Sequence, residues 1–101
     1  MSIQIPVDKK RIEDFCRRNH IQRLSFFGSV LRSDFRPNSD VDVLIEFESG
    51  QIVGFIRLYE IEQELSSLLA GHKPDIVNPR FLNRRIRDRV LQEAQVQYAK
   101  G

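Results

Sequence analysis

Leu24 to Phe47 reads LSFFGSVLRSDFRPNSDVDVLIEF, and the reading of this stretch decides the fold. An apolar run, Leu24-Ser25-Phe26-Phe27, stops at Gly28-Ser29. A short, charge-dotted link follows, and a second strand-like run opens at Asp40-Val41-Asp42. Residues i and i+2 of a strand face the same way, so Asp40 and Asp42 set two carboxylates side by side at a strand's start. Val41, Val43, Ile45 and Phe47 then turn into a core. Adjacent like charges raise each other's pKa unless a cation sits between them. Carboxylate oxygens with no His or Cys beside them suit a hard ion such as Mg²⁺. Gly28-Ser29 lies between a strand and a helical turn expected over Val30 to Phe35, where free backbone N–H groups and a hydroxyl can hold phosphate oxygens. A phosphate cradle facing a metal-holding carboxylate pair is the equipment of nucleotidyl transfer. By average residue usage, Gly-Ser, a ten-residue gap and Asp-x-Asp coincide by chance in on the order of one in a thousand chains of this length. The blander alternative is two strands joined by a polar loop, with both aspartates merely solvated. It leaves two Asp on one strand face unexplained, and Asp is depleted in strands.

Upstream, residues 1–6 read as a loose leader. Asp8 caps a helix expected to run to about Asn19, with Ile12, Phe15 and Cys16 on one side. Ile21 to Phe27 is the first strand, Ile21, Arg23 and Ser25 alternating with Gln22, Leu24 and Phe26. Gly28 permits a sharp turn that a side chain would obstruct. Arg32 falls one turn after Ser29 and could reach a phosphate; equally, it could pair with Asp34 or Glu46 on the surface. Asp34 and Arg36 read as loop residues, and Pro37-Asn38-Ser39 turns the chain into the second strand.

Downstream, Ser49-Gly50 closes that strand. Ile52 to Ala70 carries a broad apolar stripe, Phe55 and Tyr59 included, that reads as a core-facing helix stopped by Gly71. Lys73 to Val77 is a short strand opened by Asp75. Laid beside the second strand, it would bring Asp75 to the Asp40/Asp42 pair; a turn aspartate after Pro74 is the plainer alternative. Asn78-Pro79 is a helix start, and a final helix is expected from Ile86 to about Tyr98. The order helix, strand, short helix, strand, long helix, strand, helix predicts a small α/β (α+β) sandwich: a mixed sheet of three or four strands with helices packed on one face.

The chain has 101 residues, which predicts one domain over 1–101. Hydrophobic content of 41% and charged content of 30% describe an ordinary globular protein. No apolar run approaches a membrane span and no signal-peptide core opens the chain, so a cytoplasmic protein with no membrane partner is expected. Cys16 is alone and reads as packing, not nucleophile. His20 and His72 lack zinc spacing and read as surface or loop histidines. Net charge is +2, but residues 34–64 hold eight acidic side chains against two basic, and residues 80–101 six basic against two acidic. The basic end could meet nucleic acid or an acidic partner protein. Without interleaved aromatics it reads at least as well as a solvated helix face, and nucleic acid is not expected as the partner.

Gly28-Ser29, Asp40-x-Asp42 and Asp75 together resemble the hallmark of the minimal nucleotidyltransferases (MNT), within the polymerase-β-like superfamily, over nearly the whole chain. One departure is Ser33, where many members carry Gly. The resemblance implies a polymerase-β-like nucleotidyltransferase core. It implies a three-carboxylate site in which Asp40, Asp42 and Asp75 hold two Mg²⁺, Asp75 serving also as general base, while Gly28 and Ser29 bind the nucleotide. Arg32 joins them as a nucleotide-binding candidate by its position one turn on, not by the resemblance. Small members are similar to the antitoxins of HEPN–MNT toxin–antitoxin pairs. That implies AMP transfer from ATP to a tyrosine of a HEPN-type toxin within a hetero-oligomer. At 101 residues there is no room for a substrate-binding domain, so the acceptor is expected to complete the pocket. The alternative function is a non-catalytic antitoxin that neutralises its partner by complex formation alone.

Overall fold

The computed structural model describes residues 5–32, 35, 36 and 38–100. Residues 1–4 of the leader, the Ser33 departure, and Asp34 and Pro37 of the link lie outside the described residues. The order is α1 (Lys9–Arg18), β1 (Ile21–Phe27), a 3₁₀ turn (Gly28–Leu31), β2 (Val41–Phe47), α2 (Phe55–Leu68), β3 (Pro74–Val77), a second 3₁₀ turn (Pro79–Phe81), α3 (Arg84–Glu93) and β4 (Gln95–Ala99). The sheet order is β3-β2-β1-β4. β1 pairs antiparallel with β2 and β4, whereas β2 and β3 run parallel. A parallel pair needs a crossover, and α2 supplies it.

Local chemistry explains the first half. The Asp8 carboxylate accepts from the backbone N–H of Lys10 and Arg11 at 3.0 and 3.2 Å, satisfying two orphan donors of α1. Ile12, Phe15 and Cys16 of α1 are completely buried. Burial pushes the Cys16 thiol up to about 12, so it is an inert packing group. β1 departs from strict alternation: a register shift between Ile21 and Arg23 sends Ile21 into the core together with Leu24 and Phe26. Val41, Val43 and Ile45 of β2 join them, and α1 and α2 close over this face with Ile61, Leu65 and Leu69. Each such side chain contributes about 1.5–3 kcal/mol by burial. Ser25, Asp42 and Leu44 turn to the opposite face by the two-residue period.

Three sequence expectations fail in detail. The helical turn expected over Val30 to Phe35 is instead the 3₁₀ turn Gly28–Leu31, after which Arg32 is already extended (φ −113°, ψ 154°). The apolar stripe from Ile52 does not face the core throughout: Phe55 is 93% exposed, Ile52 90%, Ile56 80% and Tyr59 62%. Gly54 is the residue before α2 rather than part of it, and the helix buries no residue before Ile61, its buried positions being Ile61 and Leu65. The last helix stops at Glu93, because Ala94 turns extended (φ −67°, ψ 142°) and residues 95–99 form β4. The stripe Val90, Ala94, Tyr98 keeps a helical period, but Val96 and Tyr98 also alternate as a strand does. The β1 edge decides: Lys100 N–H donates to the Gln22 carbonyl at 2.8 Å, and the Gln22 side-chain Nε2 donates to the Lys100 carbonyl at 3.0 Å. α3 buries no residue, and its Arg84, Arg85 and Arg89 are exposed. Among the described residues no helix is long and apolar enough to cross a membrane.

Candidate active site

Three local events bring the motif together. β1 ends at Phe27, which pairs with Asp42 across the antiparallel ladder. Asp42 in turn pairs with Asp75 across the parallel ladder, so the two aspartates share one rung of β2 and β3. Gly28 then takes φ +74°, the left-handed region that side chains avoid. Space confirms the need for glycine: a Cβ on Gly28 would fall on Oδ2 of Asp42 and lie 3.3 Å from its Cγ. The motif's Gly and the second Asp of Asp-x-Asp are therefore in direct van der Waals relation.

Electrostatics mark the same point. The Asp42 carboxyl is held above the usual carboxylate range, first by burial, then by the Asp75 charge and the hydrogen bond between the two carboxyls, then by Asp40. The Arg32 guanidinium pulls the other way and is outweighed. Asp42 and Asp75 meet, whereas exposed Asp40, one residue before β2, acts on Asp42 through its charge. Among the described residues no three His, Cys, Asp or Glu side chains gather into a ligand set. The donors at this point are carboxylate oxygens without imidazole or sulfur, a chemistry that fits a hard divalent cation such as Mg²⁺.

Ser29 is half-buried in the Gly28–Leu31 turn, which is pinned from below by buried Val30 and Leu31. Among the described residues no side chain caps the turn's start, and N–H groups at such a start are the kind that bind an anion. Arg32 closes the turn, its N–H donating to the Ser29 carbonyl at 2.9 Å, with its side chain exposed. Of the surface partners the sequence offered, Glu46 sits instead 3.7 Å from Arg23, and Asp34 is outside the described residues.

His72, read from the sequence as a surface or loop histidine, is a half-buried residue of the loop before β3. Its Nδ1 lies 2.9 Å from the carbonyl oxygen of Ser39, and its ring packs on Phe35 with centroids 5.0 Å apart. Its place three residues before Asp75 was the available signal.

Residues 9–97 match the Nucleotidyltransferase domain family. The chain belongs to this family of nucleotidyltransferases. It is 32% identical over 88 residues to a Methanocaldococcus jannaschii protein provisionally named a protein adenylyltransferase, covering 85% of this chain and 89% of that one. It is 34% identical to the protein adenylyltransferase MntA of Thermococcus cleftensis, over 72% and 71% of the two chains. A solved structure provisionally described as a minimal nucleotidyltransferase superposes with a TM-score of 0.69 at 36% identity, covering 85% of each chain. The fold is also that of a chain in a solved structure described as a tri-AMPylated Shewanella oneidensis HEPN toxin in complex with MNT antitoxin: TM-score 0.62, 21% identity, 91% of this chain and 70% of that one. In the nucleotidyltransferase described here, the four-stranded mixed sheet with α1 and α2 on one face leaves Asp42 on the other.

Proposed function

We propose that this chain is a protein adenylyltransferase that acts as an antitoxin, moving AMP from ATP to a tyrosine hydroxyl of a HEPN-type partner. The observation that carries the reading is the Gly28–Asp42–Asp75 junction, in which a cradle too tight for a Cβ abuts a half-buried carboxylate on the same rung as a second one. Relatives named as protein adenylyltransferases, and a fold neighbour described as an AMPylated HEPN toxin with its MNT antitoxin, support the choice of acceptor.

In this reading the N–H groups of the Gly28–Leu31 turn and the Ser29 hydroxyl hold the β- and γ-phosphates, with Arg32 beside them. Asp40, Asp42 and Asp75 are the residues that would hold two Mg²⁺, which when bound neutralise phosphate charge and make the acceptor hydroxyl more acidic. Asp75 takes the tyrosine proton. The tyrosine oxygen bonds to the α-phosphorus, the bond from that phosphorus to the bridging oxygen breaks, and pyrophosphate leaves with the bridging electrons. Exposed Asp40 and Asp75 leave the site open, and the docked partner covers it within a hetero-oligomer. The whole is one minimal domain over 1–101, working in the cytoplasm beside its target.

The test is neutralisation in cells by Asp42→Asn, a near-isosteric change that removes the charge. Toxicity of the partner returns if transfer is the antidote. Full neutralisation by the variant would favour the alternative, an antitoxin that works by complex formation alone.

A further inference from the structure

Asp40 is the motif carboxylate with the least visible support. It is exposed and precedes β2, so no strand ladder fixes it. Both peptide groups that flank it are nevertheless tied, and to one short segment. On one side the Ser39 carbonyl meets Nδ1 of His72 at 2.9 Å. A carbonyl only accepts, so Nδ1 carries the proton and donates. On the other side the Val41 N–H donates to the Lys73 carbonyl, also at 2.9 Å. The second tie is backbone and indifferent to sequence. The first depends on one side chain.

The same segment leads into β3 and carries Asp75 at its third position beyond His72. The spacing between Asp40 and Asp75 is thus set by a four-residue strip, 72–75. The His72 ring is itself held: it is half-buried and packs against Phe35 at 44° between ring planes. Phe35 is partly buried against the main core, and its N–H donates to the Arg32 carbonyl at 3.3 Å. A chain of contacts runs from the end of the phosphate-facing turn, through Phe35, to His72 and the peptide of Asp40.

We propose that His72 is a positioning residue of this site, its Nδ1–H clamping the Ser39–Asp40 peptide so that Asp40 keeps its place beside Asp42 and Asp75. The inference rests on the nucleotidyltransferase reading above. Among the described residues, Ser39 otherwise bonds only to Arg36 within the link. Without the clamp the start of β2 at Asp40–Val41 is therefore joined to the 72–75 strip by the Val41 bond alone and frays more readily. A displacement of about 1 Å at a reacting site costs on the order of 10²-fold in rate.

The experiment compares His72→Ala, His72→Gln and His72→Asn. The Asn side-chain N–H₂ stands where the imidazole Nδ1 stood and can remake the bond; Gln reaches past it, and Ala makes none. Two readouts are taken on folded protein: the rate of AMP transfer to the partner with ATP and Mg²⁺, and amide hydrogen exchange at Val41, read against Ile45 in the sheet centre. Expected for His72→Ala and His72→Gln is a 10- to 100-fold loss of kcat and Val41 exchange at least 10-fold faster, with Ile45 unchanged. His72→Asn should stay within about threefold of the parent in both. The proposal is overturned if His72→Ala keeps both parental values, if all amides quicken together, or if His72→Asn fails as badly as His72→Ala. If the parent protein itself transfers no AMP, the functional reading fails, and Val41 exchange alone still decides whether His72 holds the peptide.

Discussion

Replacing Gly28 by alanine perturbs two things that can be separated. The backbone at φ +74° costs an L-residue about 1–2 kcal/mol. Alanine returns about 0.4–1 kcal/mol by restricting the unfolded chain, so the net loss of stability is about 1 kcal/mol. For a domain of this size that lowers Tm by about 4–8 °C. The second effect is local. The new Cβ would overlap Oδ2 of Asp42, so the carboxylate must move by about 1 Å or turn to another rotamer. A shift of that size at the reacting centre lowers AMP transfer by about 10²-fold. Gly50→Ala is the control, because Gly50 has φ +86° with nothing within 4 Å of an added Cβ. It carries the same backbone penalty and touches no carboxylate. Thermal unfolding and initial rates of transfer, both measured well below Tm, should show two variants of similar stability, of which Gly28→Ala alone is inactive. Equal rates in the two would refute the claim that Gly28 is glycine for the sake of Asp42.

Further expectations concern charge, core and surface. The Asp42 carboxyl has its folded pKa raised, so its ionisation opposes folding; the cost is absent below the ordinary carboxylate pKa and is reached as pH rises through the folded value. Without metal, Asp42→Asn should therefore be more stable than the parent at pH 7, read as a higher urea midpoint, and the difference should vanish in acid. Added Mg²⁺ should raise the Tm of the parent and leave that of Asp42→Asn in place. Leu65→Ala empties a fully buried position and should cost about 2–5 kcal/mol in urea unfolding, whereas Phe55→Ser, at a 93% exposed position, should stay within about 0.5 kcal/mol.

Much of the fold was legible because its signals are local. Asp8 followed by Ile12, Phe15 and Cys16 announces α1, and Gly28 announces the turn. What failed was decided by distant chain. Nothing in Ile52 to Tyr59 says that α2 buries no residue before Ile61, and β4 exists because β1 has an open edge for residues 95–99 to pair with. The site divides in the same way. Gly28, Ser29, Asp40 and Asp42 stand out by their spacing and Asp75 by the order of elements and the family resemblance, and the strand register brings Asp42 and Asp75 onto one rung. His72 read only as a loop histidine because its hydrogen bond goes to a backbone carbonyl 33 residues away, which no spacing rule encodes.

The central claim is that these carboxylates transfer AMP to a protein. Its most direct measurement is the intact mass of the HEPN-type partner after incubation with this chain, ATP and Mg²⁺, against the same mixture made with the Asp40→Asn/Asp42→Asn double variant. Mass gained in steps of one AMP, and only with the parent chain, is the predicted result. An unchanged mass while the two proteins still form a stable complex would contradict it.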